Sequence, residues 1–176
     1  MPGYHGGTAP YGVWAVAEVF VDPAWLSDQD PHHDVAILRL ARQQYGGHRV
    51  GVQNVVGGNV LGAAPRPGTV VQVPAYPIGI NDDPINCRNR TYLTRGYPSF
   101  DCHFYFDATS GAPFLRAGDD SGGQVVVGVI GGLHQGGCVD YTSYAAPFGA
   151  DIRSLLTRAG RGQHPDALPV PGSSGC

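Results

Sequence analysis

The chain has 176 residues, enough for one compact domain or two small barrels sharing an interface. A net charge of −3 with no Lys/Arg cluster excludes the basic footprint that nucleic acid or an anionic membrane surface requires of a partner. With 27 glycines, 15 prolines, 14% charged and 42% hydrophobic residues, the composition favours short strands and tight turns, hence an all-β domain.

Residues 12–22, rich in β-branched and aromatic types, read as a strand ended by the Asp22-Pro23 turn signal. Pro31-His32-His33 leads to Asp34, after which the apolar run Val35–Leu40 has the length of a strand buried on both faces. Then come an apolar stretch at 50–56, a Gly57-Gly58 turn, and a strand at 69–73 closed by Pro74 and Pro77. The second half repeats the style at 87–94, 100–106 and 112–115, with a Gly/Asp-rich turn at 118–123 and a returning strand at 124–130. Ala150–Ala159 is the one expected helix, with Ile152, Leu155 and Leu156 on one face and Gly160 as its stop. Residues 1–160 form the expected domain, and 161–176, polar and rich in Pro and Gly, the expected flexible tail.

No stretch reaches the roughly 18 apolar residues of a membrane span, and no export signal is expected in the chain. The cysteines Cys87, Cys102, Cys138 and Cys176 contain no C-x-x-C pair. Cys102, His103, His134 and Cys138 could supply two sulfurs and two imidazoles to zinc, but their spacing is unusual for that, and a disulfide in an oxidising compartment is preferred. No metal or cofactor is expected.

Two segments carry candidate chemistry. Asp34 stands just before an apolar strand, where a charge must accept hydrogen bonds from a fixed partner, either backbone N–H groups or a catalytic imidazole. Ser110 lies in Asp107-Ala108-Thr109-Ser110-Gly111-Ala112-Pro113-Phe114, where small neighbours leave a hydroxyl accessible and let backbone N–H groups converge; an ordinary turn would look the same. It is not a G-x-S-x-G elbow, since Ala108 and Ala112 stand where glycines belong.

Taken together, Asp34-Val-Ala-Ile-Leu and Thr109-Ser-Gly-Ala-Pro-Phe-Leu resemble the D-[IV]-A-[LF]-L and S-G-[GA]-P motifs of trypsin-like (chymotrypsin-fold, S1-type) serine proteases. Residues 2–14 are similar to the stretch after the catalytic histidine in secreted actinobacterial members, residues 75–79 to their G-Y-P-x-G turn, and residues 125–132 to the strand beside their substrate cleft. The resemblance implies two antiparallel β-barrels, the first incomplete, plus a short C-terminal helix. It implies a serine endopeptidase acting on polypeptide, secreted in its full-length form, with no bearing on oligomeric state. Ser110 would be the nucleophile, Asp34 the orienter of the histidine, and the N–H groups of Ala108 and Ser110 the oxyanion hole. Phe104, Gly131 and Gly132 would line the substrate cleft, with Phe104 at the pocket base.

The resemblance also exposes departures. The family's T-A-A-H-C type histidine motif does not occur, so the chain is expected to be an N-terminally truncated, inactive form starting at a misplaced Met1. A non-catalytic peptide-binding pseudoprotease is the alternative. His32 is the first candidate for a substitute base, and Ala108 and Gly131 replace the usual glycine and serine. Cys87 and Cys102 are expected to form a disulfide, with Cys138 to Cys102 as the alternative and Cys176 free.

Overall fold

A computed structural model describes residues 1–79, 83–118 and 123–167. Most of the turn expected at 118–123, the end of the expected tail and Cys176 therefore lie outside the described residues. In chain order the elements are β1 (Val16–Val21), α1 (Pro23–Asp28), a 3-10 turn (Pro31–His33), β2 (Ala36–Leu40), β3 (Gln43–Tyr45), β4 (His48–Val50), α2 (Gln53–Val56), β5 (Val60–Leu61) and β6 (Val70–Ala75). The second half contains β7 (Ile85–Arg90), β8 (Tyr92–Thr94), β9 (Tyr97–Asp101), β10 (Pro113–Ala117), β11 (Gln124–Val129), β12 (Thr142–Tyr144) and α3 (Ala150–Gly160).

The largest sheet has the order β5-β11-β10-β6-β7, and a three-stranded sheet has the order β12-β9-β8. Among the described residues the strand pairings are antiparallel except β5 with β11, a departure from the wholly antiparallel expectation. The two sheets share one core of Val71, Val73, Phe100, Phe114 and Val127, in which Phe100 meets Phe114 and Tyr105 edge-on, each at 5.0 Å. A disulfide between Cys87 on β7 and Cys102 just after β9 joins the sheets as expected. That bond removes Cys102 from the zinc arrangement, and no free thiol occurs among the described residues.

Two strand boundaries shift for identifiable reasons. The run expected at 87–94 breaks at Thr91, which is buried and turns back to Arg66 and Thr69 through its hydroxyl and to Thr69 through its N–H. The strand expected at 100–106 is β9 instead and ends at Asp101, because Cys102 and Tyr105 donate their N–H groups to Tyr141 and Asp140 in an irregular segment.

The first half is thinner. β1 and β2 form a sheet by themselves, and β2 is not buried on both faces: Ala36 is exposed and Leu38 is half exposed. Its apolar run reflects burial of one face, where Ile37 meets Phe20, Leu155 and Ala159. Helix α3 lies there as expected from its periodicity, but its third buried position is Ala159 rather than Leu156, which points outward. The apolar stretch at 50–56 is mostly α2 rather than extended chain, and α1 was not expected: Asp22 caps it by accepting from the Ala24 N–H at 2.9 Å, with Pro23 at its first position.

Near the C-terminus, the Asp166 N–H donates to Val19 O and its carboxylate accepts from the Val21 N–H, both at 2.9 Å, so Asp166 occupies the β1 edge that β2 leaves open. Arg158 clamps the same carboxylate through both terminal nitrogens and lies 5.5 Å from the Phe20 ring centre.

Candidate active site

Ser110 sits at the apex of a loop whose own hydrogen bonds hold it open. Thr109 is buried, and its N–H and hydroxyl both reach Phe106 O, at 3.3 and 2.9 Å. Ala112 N–H returns to Thr109 O at 3.0 Å, and Gly111 N–H donates to Ile130 O at 2.8 Å. The chain between them must turn through left-handed conformations, at Ala108 (φ 74°) and Gly111 (φ 83°). The left-handed value at Ala108 is the conformation in which a Cβ is disfavoured by roughly 1–2 kcal/mol. Among the described residues neither the Ala108 N–H nor the Ser110 N–H has an acceptor within the protein, so both donors of the expected oxyanion hole are unspent.

These residues border a cavity of about 560 Å³, also lined by Ile78, Phe106, His134 and Val139. That volume suits a side chain or small ligand. Ile78 is brought there by its N–H, which donates to Asp107 O at 2.8 Å. Tyr105 lies beneath, its hydroxyl donating to Val73 O, and burial pushes its pKa up to about 12.

Asp34 arrives from the other half of the chain. Its φ of −73° and ψ of 65°, with Val35 N–H bonded to His33 O at 2.8 Å, make it the centre of an inverse γ-turn between the 3-10 turn and β2. Its Oδ2 accepts from the Gly132 N–H at 2.8 Å. Burial raises its pKa above the ordinary carboxylate value, and the Gly132 bond opposes that rise. Gly131 and Gly132 explain themselves by space. A Cβ on Gly131 would come 3.2 Å from both the carbonyl and Oδ2 of Asp34, while Gly132 has φ 75° and a Cβ there would meet Ala146 N at 3.0 Å and Pro31 O at 3.1 Å. Asp34 bonds to Gly132 and the Ser110 loop bonds to Ile130. Two residues span at most about 7 Å, so the aspartate and serine segments are anchored close together on one stretch of backbone.

Other residues picked out in the sequence are not brought to this point. Phe104 does not line the Ser110 cavity; it is 60% exposed, with a left-handed φ of 73°, and borders a separate depression beside Cys87 and Cys102. Among the described residues the partners of Asp34 include no histidine. His32 stacks on Tyr97 with ring centres 4.6 Å apart and places Nδ1 3.1 Å from both Asp30 Oδ1 and the Tyr97 hydroxyl. His33 faces Asp22 and Asp151, His103 is 3.8 Å from Asp140, and His134 borders the cavity with its ring 6.3 Å from that of Tyr144. His5, His48 and His164 are exposed.

No family model matches the chain, and no curated protein matches it. Solved structures do. The protease Anisep from Arthrobacter nicotinovorans superposes with a TM-score of 0.72 at 21% identity, over 92% of this chain and 73% of that one. A thermostable serine protease, AL20, from an extremophilic microorganism gives 0.73 at 20% identity, over 92% and 74%. The chain has the chymotrypsin-like serine-protease fold. A Glu endopeptidase in complex with MPD, at 0.67 and 17% identity over 91% and 70%, shares it. Within this protease fold, Ile78, His134 and Val139 were not singled out as cleft residues. Their only sequence signal is position in Gly-rich or Pro-rich turns, which says nothing about which way they face.

Proposed function

We propose that the cleft is that of a serine endopeptidase, with Ser110 as nucleophile, the Ala108 and Ser110 N–H groups as oxyanion donors and Asp34 as the group that orients a histidine. The observation that carries this reading is the pair of unspent N–H donors beside an exposed serine, anchored through Ile130 and Gly132 to a desolvated carboxylate. Ser110 would attack a peptide carbonyl, the imidazole would take its proton and return it to the leaving amine, and Asp34 would stabilise the imidazolium. The substrate is polypeptide, with an uncharged or aromatic side chain accommodated against Ile78, Phe106 and Val139. The disulfide supports an oxidising, secreted setting; no helix among the described residues is long and apolar enough to cross a membrane.

One observation favours a second reading, a peptide-binding module without catalysis: among the described residues no imidazole is in contact with Asp34. A serine hydroxyl is a weak nucleophile without a positioned base. The two readings separate in a labelling experiment with a fluorophosphonate probe, run on the 176-residue chain with and without free imidazole in solution. The enzyme reading expects labelling to appear with imidazole and to vanish in Ser110→Ala and Asp34→Ala. Folded chain that stays unlabelled at every imidazole concentration, while still binding peptide, would establish the module instead. Rapid labelling without imidazole would place a working base within these residues, with His32 the first to replace.

A further inference from the structure

Away from the cleft, the α1 cap, the 3-10 turn just after α1 and the far-removed α3 converge on one point. His33 Nδ1 lies 3.4 Å from Asp22 Oδ1 and 3.4 Å from Asp151 Oδ2, and one ligand atom from each of the three residues lies within 4.8 Å of the other two. Nδ1 itself is shielded from solvent and makes no hydrogen bond, although both carboxylates are near it. A buried ring nitrogen aimed between two carboxylate oxygens and bonded to neither leaves a gap that a cation would fill.

The spacing is informative about which cation. In a tetrahedral site with metal–ligand bonds of about 2.0–2.2 Å, ligand atoms stand about 3.3–3.6 Å apart. Both edges that meet at His33 Nδ1 fall in that range at 3.4 Å. One imidazole nitrogen with two carboxylate oxygens suits zinc and its neighbours among the first-row metals rather than the all-oxygen shells of calcium or magnesium. The charges also balance, since a neutral imidazole and two carboxylates cancel a divalent ion. Asp22 is already oriented by its bond from the Ala24 N–H, which acts as the outer-shell support such ligands usually have. Asp151 lies in the first turn of α3.

We propose that His33, Asp22 and Asp151 form a zinc-type divalent metal site, with water completing the fourth position. The site would tie α1, the 3-10 turn and α3 together immediately beside Asp34, and so fix the turn that presents Asp34. It shares no residue with the cleft and stands independently of the proteolytic reading.

The experiment is a titration of the chelator-stripped chain with zinc against a competing chromophoric chelator, and with cobalt, whose visible absorption reports tetrahedral coordination. The expected result is one equivalent bound, a tetrahedral cobalt spectrum, and a melting temperature that rises with zinc concentration. His33→Gln and Asp151→Asn should each weaken binding by about tenfold or more. Asp22→Asn should do likewise while retaining the α1 cap, so that a loss there cannot be assigned to unfolding. Binding that persists unchanged in all three folded variants, or no stoichiometric binding by the original chain, would overturn the proposal. A melting temperature that does not respond to zinc would also overturn it.

Discussion

Ala108 offers a direct measure of how the serine loop is held. Its φ of 74° places a Cβ where glycine is preferred, and its side chain is exposed, so truncation removes no buried methyl group. Relief of the left-handed strain is worth roughly 1–2 kcal/mol, and the extra freedom glycine gives the unfolded chain costs about 0.4–1 kcal/mol. Ala108→Gly should therefore stabilise the protein by about 0.5–1 kcal/mol, a rise of about 2–3 °C in Tm at this chain length. The matched control is Ala112→Gly four residues on. Ala112 is buried at 9% exposure, has no left-handed φ, and has both its N–H and C=O bonded, so glycine there should destabilise by about 1–2 kcal/mol. Thermal melts and urea titrations of the three proteins decide the matter. If Ala108→Gly melted at or below the original while Ala112→Gly fell as expected, the loop would not be carrying the strain assigned to the left-handed Ala108.

Phe114 is fully buried and meets Phe100 edge-on at 5.0 Å, so Phe114→Ala should cost about 3–5 kcal/mol in urea unfolding; a cost under about 1 kcal/mol would show that the two sheets do not share this core. Asp166 and Asp34, two of the perturbed aspartates, should move stability in opposite directions with pH. The Arg158 guanidinium holds Asp166 below the ordinary carboxylate value, so its contribution is present above a pH of about 4 and is lost as pH falls through the depressed folded value; Asp166→Asn should remove that acid sensitivity. Burial holds Asp34 above the ordinary value, so its ionisation costs stability at neutral pH and that cost disappears as pH falls through the raised folded value to about 4. Asp34→Asn should accordingly be more stable than the original at pH 7 and converge with it in acid; urea unfolding across pH would show the reverse if the carboxylate were held by a cation instead.

Much of this was legible because it depends on local chemistry. The helix expected at Ala150–Ala159 followed from apolar spacing and in the structure runs on through Gly160, and the strands around Val71 and Val127 followed from β-branched runs bounded by turn residues. What escaped the sequence depends on distant partners. The half-exposure of β2 could not be seen, because a run such as Val35–Leu40 reads the same whether one face or two are covered. Phe104 was assigned to the pocket by position alone, but its left-handed φ turns it outward. The Asp166 latch lies in a segment whose Pro/Gly content suggested only flexibility, and nothing local reveals that Arg158 and the β1 edge receive it. Asp22, His33 and Asp151 come together only through the packing of α3 beside the turn before Asp34.

The desolvation of Asp34 links fold and function. A half-buried carboxylate with, among the described residues, one N–H donor is an unfavourable arrangement for stability alone, since an amide or apolar group would fit the same turn at lower cost. The surrounding backbone nevertheless makes room for it: Gly131 removes the side chain that would press on Oδ2, and Gly132 adopts a left-handed φ with its N–H donating to the carboxylate. Two adjacent glycines and a γ-turn thus converge on one charge that the core does not require. An imidazolium placed against the remaining carboxylate lone pairs would reverse the sign of that balance, lowering the pKa that burial now raises. Under the proposed protease reading, that reversal is the property a triad aspartate would need, because the interaction relieving Asp34 would also stabilise a protonated base as the serine attacks.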